Sequence, residues 1–448
     1  MCIVFAFSYI VIELADWTFY KYLTSFVILF FILFSLKNLK GTSGKITALL
    51  MVLTTLLLFD ADNVFSAVME GARVNLTLVT IFILTPLLGI TVRTGGYVED
   101  LKIVLQKLRN NAVFFYISTA CLTHMLGVVL NIGSVSINHY LTSVSNVRSA
   151  RLIANALNRG FATTIFWSPY FSAMALIVGQ LKIAWASIVL YLLGYAVLSL
   201  AIGFLLELRE MKKEKQRIKE LIETDHEPLS AEEMKKVYKK NGELVFLLIA
   251  TMALVLLLER FPPFSMVLSI CFVALIFPLV WCALKGNLKE YRHEVNNHLT
   301  KTLPGLRQEI TLFLTAGLFS GVFVHSPWSG AMAGFFNSHF GHSPVFMTFA
   351  ISLAIICTAI IGLHPIISIT IFATGIDSAL IGLTREHFAI MLLASWGISV
   401  TVSPATAVNH LLAMALKKSV VDISLKWNWK YAAILIFLLP FYLQLLNV

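Results

Sequence analysis

Four short clusters of small polar residues, glycine and proline interrupt the apolar runs of this chain. Asn131-Ile132-Gly133-Ser134 is followed 37 residues after Asn131 by Ser168-Pro169, and Gly362-Leu363-His364-Pro365 is followed 39 residues after His364 by Ser403-Pro404. Asn131 and Ser134 offer short neutral oxygen ligands, and Gly133 is the residue expected to reverse the chain between them, since glycine adopts positive φ without a Cβ clash. Pro169 and Pro404 each delete a backbone donor and free the carbonyls just before them. Thr164 and Ser168 in the first half, and Ser403 and Thr406 in the second, stand ready to meet that backbone or to hold a ligand. Hard cations such as Na⁺ suit neutral oxygens and bare carbonyls. Helix N-termini exposed at such breaks attract anions. His364 is an ionisable residue within an apolar segment and is a functional candidate on that ground, as an anion contact or a proton carrier. His124 and His410 lie farther from the breaks and read as packing residues.

The elements that must position these residues are membrane helices. The chain has 448 residues, 58% hydrophobic and 13% charged, and residues 310–376 contain no Asp, Glu, Lys or Arg. Charge at about half the roughly 25% usual in soluble domains, with many windows longer than about 18 apolar residues, describes a polytopic membrane protein. Spans are expected near 20–36, 47–60, 74–92, 161–181, 184–206, 244–259, 263–284, 310–325, 387–410 and 430–447. Re-entrant hairpins are expected near 113–143 and 346–374. With this topology all but Lys21, Arg73, Lys182, Arg260 and Arg385 of the 34 Lys and Arg residues fall on one face. That face is therefore the cytoplasmic one. The net charge of +10 then reflects topology and not nucleic acid.

Residues 208–242 are charged and read as a cytoplasmic linker, a solvated helix pair between a first membrane repeat at 20–207 and a second at 243–448. Residues 1–19 form an interfacial or partial helix and lack the basic start and cleavage site of a signal peptide. Each half has, in order, two spans, a third span, a broken apolar segment, a Ser-Pro-broken span and a final span. An odd number of crossings separates the copies, which makes them inverted. The expected fold class is all-α, with two inverted repeats that each contain a re-entrant hairpin and a broken transmembrane helix. Hydrocarbon tolerates open backbone only where it is packed in protein or lines a wet cavity. Paired interruptions in two halves are the sequence mark of a transporter's midplane site.

Other chemistries fit poorly. Cys2, Cys121, Cys271, Cys282 and Cys357 are scattered and form no disulfide or zinc framework. Gly41-Thr42-Ser43-Gly44-Lys45 has the wrong spacing for a phosphate loop, and His293-Glu294-Val295-Asn296-Asn297-His298 the wrong spacing for a zinc motif. No catalytic set and no cofactor is expected.

These segments resemble the ion transporter superfamily and, within it, the divalent anion:sodium symporters and their relatives. Members have a Ser-Asn-Thr hairpin tip and a Thr/Ser-Pro helix break in each repeat. Leu130-Asn131-Ile132-Gly133-Ser134 is similar to the first tip and Trp167-Ser168-Pro169 to the first break. Gly362-Leu363-His364-Pro365 stands at the second tip and Val402-Ser403-Pro404-Ala405-Thr406 at the second break. Neither tip has the full triplet, the second has His where the family has Asn, and the family's Pro-Pro-Asn is absent. The resemblance implies a Na⁺ site at Asn131, Ser134 and Ser168 and an elevator-like motion. It does not bring dicarboxylate with it as the substrate.

The reading is a secondary active transporter of the cell membrane that moves a small anionic solute with Na⁺ or H⁺. Its other partners are lipid, not nucleic acid, and homodimerisation is left open. The alternatives are an integral-membrane enzyme acting on a lipid-linked substrate, a channel, or an ion-only antiporter. The enzyme would want a charged outer loop, and the antiporter a buried carboxylate near the breaks.

Overall fold

The computed structural model describes residues 2–37, 39–106, 110–221 and 231–447, and all its regular structure there is helical. Among the described residues nine helical stretches are long and apolar enough to cross a bilayer. A bent pair, Arg307–Val324 and Pro327–Phe340, meeting at 81°, qualifies as a tenth. The protein is a multi-pass membrane protein. Residues 222–230 of the expected linker lie outside the described residues. On either side the chain is helix continuous with a span, Trp185–Leu221 before and Ala231–Leu258 after. The helix Cys2–Ala15 buries Phe5 and Ala6 and packs on Leu76–Leu84.

Several spans begin earlier than hydropathy indicates. The expected span at 161–181 is the end of a 32-residue stretch, Ala150–Leu181, and that at 74–92 belongs to Val64–Thr94. The reason is local polarity. Arg151, Asn155, Asn158 and Arg159 lower the hydropathy of the first turns, yet they are helical, and Asn155, Asn158 and Arg159 are buried.

The two hairpins and two broken helices form a central unit. The first hairpin runs Ala112–Leu130, turns, and returns as Gly133–Thr142. Its open end is closed by a 2.7 Å hydrogen bond from Asn146 Nδ2 to Asn110 Oδ1. The second runs Pro344–Ile360 and Pro365–Gly375. The first broken helix is Ala150–Trp167 then Ser172–Leu181, and the second Arg385–Val402 then Ala407–Leu416. Every boundary of the second broken helix is offset from the first by 235 residues (385 against 150, 407 against 172). Each ends on a lysine in the left-handed region, Lys182 at φ 52°, ψ 49° and Lys417 at φ 52°, ψ 47°. Trp185–Leu221 packs on the first hairpin and both broken helices. Trp427–Leu445 packs on the second hairpin and both broken helices.

Outside this unit, Gly41–Leu57 and Val64–Arg73 pack against Arg307–Val324, and Met266–Leu284 against Leu76–Leu84. The closest approach is at Gly317 and Gly321, spaced as in the small-residue motif that lets membrane helices touch backbone to backbone. A methyl group on Gly321 would lie 2.2 Å from Gly71 Cα, and one on Gly317 would lie 2.9 Å from Asn75 N. Backbone cannot move aside as a side chain can. Gly321→Ala is therefore expected to destabilise the protein by about 1–3 kcal/mol through overpacking. Gly334→Ala, with nothing within 4 Å of its added carbon, should be neutral or slightly stabilising. Unfolding temperatures of the two variants in detergent check this, and equal temperatures would show that the helices do not cross there.

Candidate functional site

The first break follows from Pro169. Ala150–Trp167 is started by the Ser149 side chain, which accepts from Leu152 N, and it stops at Ser168, whose ψ of 125° is extended. The backbone stays open to Phe171 before Ser172–Leu181 begins. The freed Trp167 carbonyl accepts from Trp185 Nε1 at 2.8 Å. Ser168 Oγ donates to Val128 O at 3.3 Å and Thr164 Oγ1 to His124 O at 2.8 Å, which fastens the helix to the first hairpin. His124 completes the seam. Its Nε2 accepts from Trp167 Nε1 at 3.1 Å, so Nδ1 carries the proton that faces Thr163 Oγ1 at 2.9 Å. The ring is a neutral brace.

At the first tip the structure corrects one expectation. Asn131, not Gly133, takes the unusual backbone, at φ 51° and ψ −134°. Gly133 is the first residue of the returning helix. Asparagine tolerates positive φ when its side chain bonds locally, and Asn131 Oδ1 accepts from Ile132 N at 2.7 Å. Ser134 Oγ donates to Asn131 O at 2.7 Å and is fully buried. The tip thus holds the Ser134 hydroxyl on the Asn131 carbonyl and the Asn131 side-chain oxygen on the next N–H.

The second tip is built differently. Gly362 makes the reversal at φ 99°. Pro365 opens the returning helix, a position where a missing N–H costs nothing. His364 caps it, with Nδ1 accepting from Ile366 N at 3.3 Å and the ring 5.6 Å from that of Phe313. Thr358 and Ser368 bridge the two arms, hydroxyl to hydroxyl, at 2.7 Å. At the second break Ser403 is extended with ψ 125°, matching Ser168, and Thr406 at φ −82°, ψ 141° matches Phe171 at φ −83°, ψ 136°. Pro404 lies between them. Ser403 Oγ accepts from Ala405 N, and Thr406 Oγ1 donates to Ser403 O at 3.2 Å.

The two breaks belong to helices that pack together. A methyl group on Gly397 would meet the Phe166 ring at 2.3 Å and Ala162 O at 2.7 Å. Ser172–Leu181 lies against Pro365–Gly375, and Ala407–Leu416 lies against Gly133–Thr142, so the second half of each broken helix meets the hairpin from the other half of the chain. Thr164, Ser168, Ser403 and Thr406 are all buried. Among the described residues no hydrogen bond joins Asn131 to Ser168, or one tip to the other.

The structure adds residues that the spacing of breaks did not reveal. Arg159, assigned from hydropathy to a cytoplasmic loop, is buried mid-helix and pairs with buried Glu207 at 3.1 Å. Arg159 also donates to Asn428 Oδ1, Gly203 O, Trp427 O and Tyr116, and lies over the Tyr431 ring. Glu207 further accepts from Arg151 and Asn155. One signal was present in the sequence: Asn155, Asn158 and Arg159 fall on one helical face, and Glu207 interrupts an apolar run. Asn409 is the other addition. Its Nδ2 donates to Val400 O at 3.0 Å and Ser403 O at 2.8 Å, and its Oδ1 accepts from Asn158 Nδ2.

Searches against family models and curated proteins gave no match. Solved structures do match. The Alcanivorax borkumensis YdaH transporter, described as having an unusual topology, superposes with a TM-score of 0.57 at 13% identity, over 94% of this chain and 98% of that one. Neisseria gonorrhoeae MtrF, described as illuminating a class of antimetabolite efflux pumps, gives 0.56 at 12% identity, over 89% and 94%. Both are transporters, not enzymes, and the chain shares their fold along nearly its whole length.

Removing one partner from a buried ion pair leaves an uncompensated charge and costs about 3–5 kcal/mol. Glu207→Gln should therefore lower the unfolding temperature sharply. The double variant Arg159→Met with Glu207→Leu should recover part of the loss. Equal stability of Glu207→Gln and the wild type in detergent would show that Arg159 does not depend on Glu207.

Proposed function

We propose that this protein is a secondary active transporter of the cell membrane that moves a small anionic solute together with Na⁺. The observation that supports it most is the pair of unwound segments, Ser168–Phe171 and Ser403–Thr406, which follow the same backbone course in two halves of a multi-pass chain. Four short helices, Gly133–Thr142, Ser172–Leu181, Pro365–Gly375 and Ala407–Leu416, begin at the tips and breaks. Each start carries the positive end of a helix dipole, which favours a carboxylate or phosphate.

In this reading the halves are inverted repeats, kin to the ion transporter superfamily. Asn131, Ser134 and Ser168 hold Na⁺ with the tip carbonyls. Ser403 and Thr406 face the solute, with His364 beside them, its Nε2 left to meet an anion while Nδ1 caps the helix. The hairpins and broken helices move as a carrier against the remaining helices. That motion must break the 3.2 Å bond from Gln180 Nε2 to Val74 O, which now spans the boundary beside an open cleft of about 840 Å³. The fold shared with two transporters supports the same reading.

The test is ligand-induced thermal stabilisation across a library of small organic anions, in Na⁺ and in choline, at two pH values. Binding stabilises the native state by mass action, about 2.7 kcal/mol at a hundredfold excess over Kd. At least one anion should stabilise the protein in Na⁺ and lose most of that effect in choline. Asn131→Gly removes the amide while suiting the positive φ. It should abolish Na⁺-dependent uptake of that anion into proteoliposomes and leave the unfolding temperature in choline unchanged. Wild-type uptake by Asn131→Gly would refute the site. Turnover of a lipid-linked substrate would refute the function.

A further inference from the structure

The two repeats match in backbone and differ in what meets the carbonyls that the breaks set free. At the second break Asn409 Nδ2 takes both Val400 O and Ser403 O, at 3.0 and 2.8 Å. Asn409 is fully buried. Its amide orientation is fixed by these two acceptors, because the reversed amide would set oxygen against oxygen. The consequence passes to its neighbour. Asn158 must present Nδ2 to Asn409 Oδ1 at 2.5 Å, and its own buried Oδ1 is left without a hydrogen-bond partner. An acceptor left bare in the core shows which contact dominates: the carbonyls of the break dictate the chain of amides.

The 235-residue offset puts Met174 at the corresponding place in the first repeat. A thioether donates no hydrogen bond, so this position offers the first break no amide. The tips differ in the same sense. Asn131 and Ser134 bring side-chain oxygens to the first tip. At the second, the Thr358 and Ser368 hydroxyls bond to each other and His364 Nδ1 accepts from Ile366 N.

We infer that the amide of Asn409 is a built-in substitute for a cation at the second break, so that the transporter binds a single Na⁺, at the first tip and break. The positive end of an N–H pair answers the two carbonyls permanently, with no ion to take up or release. One repeat then supplies the ion coupling and the other a fixed floor for the solute. This rests on the Na⁺-coupled reading above and adds its stoichiometry.

Equilibrium binding of radiolabelled Na⁺ to the purified full-length protein tests both levels separately. One Na⁺ per chain supports the inference. Two per chain overturns it and leaves Na⁺ coupling standing, whereas none overturns the coupling reading itself. Below half-saturation, a tenfold drop in Na⁺ should reduce occupancy by about tenfold for one site, against about a hundredfold for two that fill together. Asn409→Met copies the first repeat and removes the amide donor from the two carbonyls, leaving them only the Thr406 hydroxyl, which reaches Val400 O at 3.3 Å and Ser403 O at 3.2 Å. It should unfold roughly several degrees lower than wild type in choline and gain more from Na⁺ than wild type does. An equal gain in the two proteins would overturn the role given to Asn409. The wild-type stoichiometry decides the question even where Asn409→Met does not fold.

Discussion

A polar backbone group opened inside hydrocarbon has no water to turn to, and leaving it bare costs several kcal/mol. At the tips and the two Ser-Pro breaks, protein groups meet backbone that the interruptions set free. Trp185 Nε1 answers the carbonyl of Trp167, Ser168 Oγ the carbonyl of Val128, and Asn409 Nδ2 the carbonyls of Val400 and Ser403. His364 Nδ1 answers the first free N–H after the second tip. These contacts require the breaks to be wrapped in other helices, which places both broken helices at the centre. It also explains why Arg159–Phe166 and His387–Ser403 are buried without interruption.

The same demand shapes the packing around the breaks. Gly397 and Gly160 let helices approach until a Cβ would overlap the facing backbone or ring, as at 2.5 Å from Ala120 O for Gly160. Close approach shortens the reach needed for a Thr or Ser hydroxyl to find a carbonyl on the neighbouring helix. Thr164 on His124 O is such a case, opposite Gly127. Arg159 and Glu207 extend the logic to full charges. Neither could be desolvated alone, and together with Asn155, Asn428 and Tyr116 they lock Trp185–Leu221 and Trp427–Leu445 to the first broken helix.

The backbone of the two broken helices repeats while their side chains diverge. The breaks coincide to within about 10° in φ and ψ at Ser168 and Ser403. Yet the first repeat carries neutral oxygens at its tip and a methionine past its break, while the second carries a histidine cap and an asparagine. The two broken helices share one backbone course, and the side chains beside it differ.

Composition and the placement of Pro169, Gly362, Pro365 and Pro404 were enough to determine membrane residence, an all-helical chain and the sites of interruption, because those residues act on their own backbone. Hydropathy misplaced Arg159 and began the first broken helix near residue 161. A polar face reads as loop when its partner, here Glu207, lies 48 residues away. The reversal at Asn131 in place of Gly133 was likewise decided by the fold, through the local bond from Ile132 N. Asn409 and Asn158, 251 residues apart, could be joined only by the packing of the two broken helices. Local conformation is a property of neighbours in the chain. The pairing of buried polar groups is a property of neighbours in space, and only the tertiary structure specifies it.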